Sequence, residues 1–326
     1  MSASPHVLED PPVAAGTGRF AIRGGFDLPP LWTLDEISGP IRVGSEEHKQ
    51  LFCRMLLDTF NPYRPAVIAW PRLTEPELAR LRSLPFWDMA IETEGNASLR
   101  MQAMSESCSD PIIREAIALN AYEEKRHKVV LHDMVSFYGI ELAPEPAYLR
   151  PSDPQYFFLR TGIGECLDSF FAFGLFSLAK SSGFFPPALV EVFEPVIQEE
   201  ARHIIFFANW QAFEAARCGP IGWARFRARW LRALLAQARS RLKVAKSVDK
   251  PRLASRDTAG YADQTNFTAA SREKVGVAIK PRAFMDLCLA ENDRRFAVYD
   301  PRLLRPTLMP ALVRAARPFV GRPAAA

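Results

Sequence analysis

The chain has 326 residues, of which 48% are hydrophobic and 24% are charged, and its formal net charge is +4. This composition is typical of a folded globular protein and excludes an intrinsically disordered chain. The small net charge does not by itself indicate a polyanionic partner such as a nucleic acid. Five widely spaced cysteines, none of them in a C-x-x-C pair, indicate neither a disulfide framework nor a zinc knuckle.

The N-terminal residues lack the basic and apolar segments of a secretory signal. No run of 18 apolar residues is long enough to cross a membrane, and the most apolar stretch, residues 170–179, is expected to be part of a buried helix. We therefore expect a cytoplasmic location.

The chain divides into three predicted regions. Residues 1–85 are expected to form a Pro- and Gly-rich arm followed by short helices at 46–60 and 74–84. Residues 86–216 contain four long helical patterns, and residues 217–326 contain a basic helix and a helical extension. No stretch alternates with period two, so the predicted fold class is all-α.

The four long helices are predicted at about 86–108, 110–138 and 155–180, and from 187 or 195 to 216. Pro195 either kinks the fourth helix or starts its second part. Beyond them, we predict an amphipathic basic helix at 222–247, a polar loop at 255–268 and a last helix at 281–298.

Two of the five histidines lie three residues after a glutamate inside a helical pattern. The segments are YEEKRHKV at 122–129 and QEEARHII at 198–205. Because residues three apart share one face of a helix, Glu124 with His127, and Glu200 with His203, can each offer a carboxylate and an imidazole to one point. In dinuclear metal bundles, such pairs are completed by one glutamate from each of two other helices.

Two further glutamates complete the predicted set. Glu94 lies 14 residues before Cys108, and Glu124 lies 14 residues after Asp110, so they would meet at one height of a helical hairpin. Glu92 is the alternative, but Glu94 interrupts an apolar stripe, as an inward ligand should. In the second hairpin, Glu165 precedes an apolar stretch, where a carboxylate is costly unless it binds a cation or loses its charge. The predicted ligands are Glu94, Glu124, His127, Glu165, Glu200 and His203.

The repeated pattern of Glu followed by Glu-x-x-His resembles that of the ferritin-like di-iron carboxylate superfamily over residues 86–216. The resemblance implies a ferritin-like four-helix bundle that binds two iron ions, with Mn/Fe or Mn/Mn as alternatives. It implies that Glu124 and Glu200 lean toward both metals, whereas each histidine and each of the other two glutamates binds one. Asp168, one turn after Glu165, is a candidate for orienting a ligand histidine.

The expected function is that of a non-haem di-iron oxidase or oxygenase that uses dioxygen, an electron donor and an apolar or amphipathic organic substrate. The alternative is a rubrerythrin-like peroxide scavenger or a metal-binding protein of the same fold. The chain length and the lack of C-x-x-C rubredoxin ligands argue against the scavenger. Further expectations are a homodimer, membrane-surface contact through the basic helix and no nucleic-acid partner.

Other polar residues receive simpler interpretations. Glu123 and Glu199 are expected to be solvated neighbours of the ligands, His132 a structural or surface residue, and His48 and His6 surface residues. In the third helix, two interpretations stay open: the phenylalanines fill the core, or they line a cavity beside the metals, with glycines leaving room for a ligand or a close helix. The residues concerned are Phe170, Phe171, Phe173, Phe176, Gly162, Gly164 and Gly174.

Overall fold

The structure is a computed structural model that describes residues 8, 10–12, 28–84, 86–245 and 279–320. Within these ranges all regular elements are helices, which confirms the all-α prediction. The α-helices are α1 (Glu46–Asp58), α2 (Glu75–Arg82), α3 (Trp87–Ser107), α4 (Pro111–Phe137), α5 (Pro154–Ser182), α6 (Pro187–Val192), α7 (Glu194–Arg217), α8 (Pro220–Ala245), α9 (Pro281–Phe296) and α10 (Leu308–Ala316). Two short 3-10 helices are Pro65–Val67 and Arg317–Phe319.

The helix starts follow the capping residues of the sequence. Asp110 caps α4 by accepting a hydrogen bond from the backbone N–H of Ile113, and proline follows as the first helical residue. Thr74 and Glu77 form a capping box at α2. These local signals explain why the predicted helices agree with the observed ones to within a few residues.

Pro195 lies in the first turn of α7, which follows the short helix α6. Proline is tolerated there because the first N–H groups of a helix have no partner within the helix. Pro195 therefore does not kink a continuous fourth helix; it lies at the start of a separate helix, α7.

The long helices pack as two consecutive pairs that face each other. Helix α3 packs against α4 and α5, and α5 packs against α7. Helix α1 covers α4 and α7 from outside, whereas α8 and α9 cover α5. Residues from both flanking regions, such as Trp32, Leu51 and Tyr299, belong to the same hydrophobic core as the central helices.

Helix α5 is the core helix of the fold. By length and composition it could cross a membrane, but 56% of its most apolar window is buried inside the protein. Phe170 and Phe173 are fully buried, which supports core filling for these two residues. A Cβ atom at Gly162 would lie 2.4 Å from the ring of Phe207, and one at Gly174 would lie 2.3 Å from Sγ of Cys288. The space at these two glycines is thus used by neighbouring side chains.

We expect Gly174→Ala to destabilise the protein by about 1–3 kcal/mol, because the added methyl group overlaps Cys288 on α9. Gly219→Ala is the control, because no atom lies within 4 Å of its Cβ position. Urea unfolding measures both. Equal unfolding free energies for the two variants would contradict the close contact of α5 with α9.

Helix α8 presents different faces to the core and to solvent. Phe226 and Ala233 are buried, whereas Leu231 and Leu235 are about half exposed. The exposed arginines Arg225, Arg232 and Arg239 flank the outer face. Contact of this face with a membrane surface stays a prediction. The predicted loop at 255–268 lies outside the described residues.

Candidate metal centre

The structure brings together all six side chains that the sequence predicted as ligands. Their ligand atoms form two groups of four, and within each group all atoms lie within 4.8 Å of one another. Glu124 and Glu200 belong to both groups. The first group is completed by Glu94 and His127, and the second by Glu165 and His203.

Several polar atoms of the cluster are buried without a hydrogen-bond partner. They are Nδ1 of His127, Nδ1 of His203, Oε1 of Glu124 and both carboxylate oxygens of Glu165. The carboxylate oxygens nearest to the two Nδ1 atoms belong to Glu200 and Glu124, each at 3.1 Å. Buried polar atoms normally have partners, so this cluster of unpartnered atoms could hold a cation. Carboxylate oxygens and imidazole nitrogens together suit iron or manganese.

The two histidines are oriented by carboxylates at their other nitrogen. Nε2 of His127 lies 2.8 Å from Oε2 of Glu199, and Nε2 of His203 lies 2.9 Å from Oε2 of Glu123. An ionised carboxylate only accepts hydrogen bonds, so each Nε2 carries a proton and donates it. In the neutral imidazole, the lone pair then lies on Nδ1, which points into the cluster and can bind a metal.

The expectation that Glu123 and Glu199 are solvated is wrong, because both side chains are buried. They are held by two buried arginines. Arg202 donates to Oε1 of Glu123 at 2.8 Å, and Arg126 donates to Oε1 of Glu199 at 2.6 Å. Each Glu-Glu-x-Arg-His motif thus orients the histidine of the other motif, and the bonds cross between α4 and α7.

The arginines also fix the end of α1 and the segment that follows it to the cluster. Arg126 donates to the backbone oxygens of Asn61 and Tyr63, and Arg202 donates to Oγ1 of Thr59 and to the backbone oxygen of Leu56. The sequence contained a signal for this network, since both motifs read Glu-Glu-x-Arg-His. The arginine at the fourth position of each motif does not follow the i, i+3 spacing of the candidate ligands, which is why that spacing did not indicate it.

The remaining predicted residues lie as follows. Glu92 is half-buried and belongs to neither ligand group, whereas Glu94 belongs to the first. Asp168 lines the cavity at the cluster, and the Nε2 atoms that it was expected to orient are bonded to Glu199 and Glu123. His132 is half-buried.

His48 is not a surface residue. Its side chain is buried, and its Nε2 lies 3.0 Å from Oδ1 of Asn209 on α7. This contact joins α1 to α7 and lies far along the chain, at a separation of 161 residues, which explains why local patterns could not reveal it. His6 lies outside the described residues.

The carboxyl groups in and around the cluster differ in the direction in which their pKa values are shifted. Burial, together with the charges of neighbouring glutamates, holds the pKa of Glu124 and of Glu165 well above the usual range. Burial also acts on Glu123, but the charge of Arg202 and the bond to His203 outweigh it and lower the pKa of this carboxyl. Burial disfavours the charged ring of His127, but the hydrogen bond to Glu199 and the nearby carboxylates of Glu200 and Glu94 outweigh it and raise the pKa of the ring. The raised pKa values of Glu124, Glu165 and His127 favour the protonated forms of these groups when no cation is bound.

We expect Glu165→Gln to stabilise the metal-free protein in a pH-dependent way. The carboxyl of Glu165 has a raised pKa when folded, so below its unfolded pKa of about 4.3 it is neutral in both states and the substitution changes little. As pH rises above that value, the unfolded state gains by ionising, and the wild type loses stability that the variant keeps.

Thermal unfolding of the chelator-treated proteins at pH 4 and pH 8 measures this difference. The variant should melt close to the wild type at the lower pH and above it at the higher pH. A lower melting temperature of the variant at both pH values would contradict the raised pKa of Glu165 in the folded protein.

A cavity of about 180 Å³ adjoins the cluster. Five of the six candidate ligands line it, together with apolar residues from α3, α4, α5 and α7 such as Met89, Val130, Ala172 and Ile197. The cavity is large enough for a small molecule beside the carboxylates.

Comparison of the chain with protein-family models, curated proteins and solved structures finds no match in any of the three. The geometry of the cluster and its cavity is therefore the basis for a functional proposal.

Proposed function

We propose that the protein binds two iron ions in a ferritin-like bundle formed by α3, α4, α5 and α7, and acts as a non-haem oxidase or oxygenase. The observation that carries this proposal is the pair of overlapping ligand groups whose Nδ1 atoms and Glu165 oxygens lack hydrogen-bond partners. Two residues shared between two groups of four are the arrangement that places a pair of ions side by side.

Charge balance supports two divalent ions rather than one. Glu123 and Glu199 are neutralised by Arg202 and Arg126, so these carboxylates need no further cation. The four candidate carboxylate ligands remain, and their four negative charges equal the charge of two divalent cations. A buried cluster of uncompensated charge would be costly, which favours full occupation of both groups.

The residues of the chain have distinct roles in this proposal. Glu94 and His127 would hold one ion, Glu165 and His203 the other, and Glu124 and Glu200 would be shared. Glu123 and Glu199 keep the histidines in the tautomer that offers Nδ1. Apolar side chains such as Met89 and Val130 line part of the cavity and would make it unfavourable for water.

A bound iron pair would supply the electrons and open coordination positions that dioxygen needs for reduction. The cavity beside the cluster would hold an organic substrate against this centre. An external electron donor would restore the reduced state.

The test is to react the chemically reduced, iron-loaded protein with oxygen in a stopped-flow spectrometer. We expect about two irons per chain, a transient visible absorption after mixing, and faster decay of that absorption when an apolar or amphipathic substrate is present.

Two results would contradict this function. Reduced protein that is inert to oxygen but reacts rapidly with hydrogen peroxide would favour a rubrerythrin-like scavenger. Uptake of far more than two irons per chain would favour storage. Manganese in the purified protein would keep the site but change the metal pair.

A further inference from the structure

A second cavity, of about 160 Å³, lies next to the cavity at the metal centre. All the residues that line it have hydrophobic side chains, including Trp87, Phe176, Phe185 and Leu189. The two cavities share one wall, which consists of Leu131, Ala172, Phe193 and Ile197. We name this second space the apolar cavity.

The apolar cavity is larger than an ordinary packing defect. Protein interiors contain few voids larger than a water molecule, whereas ligand pockets are apolar spaces with a few polar groups at one end. Here the polar groups lie in the neighbouring cavity. Several large side chains that line the apolar cavity, among them Phe176, Phe185 and Phe193, are only half-buried.

One face of α5 connects the two cavities. Glu165 and Asp168 line the cavity at the metal centre, Ala172 lines both, and Phe176 and Ala179 line the apolar cavity. These residues follow one another at intervals of three or four, so they lie along one side of the helix. From Glu165 to Ala179, this side is roughly 21 Å long, at 1.5 Å per residue.

Ala172 has the smallest side chain in the shared wall. A molecule that lies along α5 would therefore pass from one cavity to the other over Ala172. At the metal-centre end, Oγ1 of Thr93 is buried without a hydrogen-bond partner, and Thr93 lines that cavity. This hydroxyl can bond to a polar group of a ligand.

We propose that the substrate is an amphipathic molecule whose hydrocarbon part fills the apolar cavity and whose polar end reaches the metal centre past Ala172. An apolar cavity of about 150 Å³ in another protein holds benzene, so the hydrocarbon part corresponds to one aromatic ring or a chain of about six carbons. The assignment of this molecule as a substrate depends on the proposed function, whereas its binding in the apolar cavity does not.

The test uses straight-chain primary alcohols from propanol to decanol as probes, with binding to the full-length protein measured by calorimetry. Each added methylene group should tighten binding about fourfold while the cavity is being filled. The gain should stop at about six to eight carbons, when the space is full.

Two substitutions should move this limit in opposite directions. Ala179→Phe fills the far end of the cavity and should end the gain at shorter alcohols, whereas Phe176→Ala enlarges the cavity and should extend the gain to longer ones. Ala188→Phe is the matched control, because Ala188 is exposed on α6 and does not line the cavity. Cooperative thermal unfolding confirms that each variant is folded.

The outcomes distinguish this inference from the proposed function. Alcohol binding that is independent of chain length, or that is the same in Ala179→Phe, Phe176→Ala and wild type, would overturn the assignment of the cavity even if two irons are bound. Conversely, the expected chain-length limit in a protein that binds no metal would support ligand binding in the apolar cavity and contradict the proposed oxidation at a metal centre. Iron content should be unchanged in Ala179→Phe, because this residue is distant from the ligands.

Discussion

Replacement of Glu124 by glutamine should abolish the binding of both ions of the proposed dinuclear centre. Glu124 belongs to both ligand groups, and its carboxyl is buried between them. An amide has a similar shape but no negative charge, so both ions lose a ligand and a compensating charge in one substitution. Elemental analysis of protein purified without chelators should give about two ions per chain for wild type and close to none for the variant.

Two matched variants make this test specific. Glu94→Gln affects one ligand group only and should retain about one ion per chain, because the second group keeps its four ligands. Glu92→Gln is the control on the same helix, since Glu92 belongs to neither group, and its metal content should equal that of wild type. A dinuclear centre is disproved if the Glu124 variant retains the full wild-type metal content.

Among the substitutions proposed for this protein, replacement of Arg202 by methionine should cause the largest loss of unfolding free energy. Arg202 is fully buried and donates to Glu123 at 2.8 Å. Without it, this buried carboxylate would keep only the bond from His203 and the more distant Arg126, at 3.5 Å. Breaking a buried ion pair on one side costs about 3–5 kcal/mol, in contrast to replacing both partners. We therefore expect Arg202→Met to lower the unfolding free energy by this amount.

Urea unfolding of single and double variants measures the energetic coupling between Glu123 and Arg202. The double variant Glu123→Gln with Arg202→Met should be more stable than Arg202→Met alone, because the buried charge is removed together with its partner. Arg54→Met is the control, since Arg54 pairs with Asp58 at the partly exposed surface of α1 and should cost less than about 1 kcal/mol. If Arg202→Met lowers the unfolding free energy no more than this control does, the buried pair of Arg202 and Glu123 does not stabilise the fold.

The six side chains of the cluster could be predicted from the sequence because their relative geometry is local. The pair Glu124 and His127 lies on one turn of one helix, and Glu94 is related to Glu124 by equal distance from a short turn. Both relations depend only on the rise and repeat of a helix. The start of α4 was predictable for the same reason, since Asp110 and its following proline act on their own helix.

The partners of the histidines could not be predicted in this way. Glu123 contacts His203 at a separation of 80 residues, and Glu199 contacts His127 at a separation of 72. These contacts depend on the rotation and height of α4 relative to α7, which side-chain packing determines. Without that information, a glutamate beside a ligand on the same helix is expected to face water, and this expectation failed for both residues.

The hydrogen bonds of His127 to Glu199 and of His203 to Glu123, which join α4 to α7, also determine when the cluster can assemble during protein synthesis. When the first motif has emerged from the ribosome, His127 has no Glu199 to hold its ring, and neither ligand group has its Glu200. The first helical pair therefore cannot capture an ion as a finished half-site that waits for the second. In the proposed centre, the newly made chain has to pack its second helical pair against the first before either ion can bind. Bound metal would then indicate that all four helices have assembled.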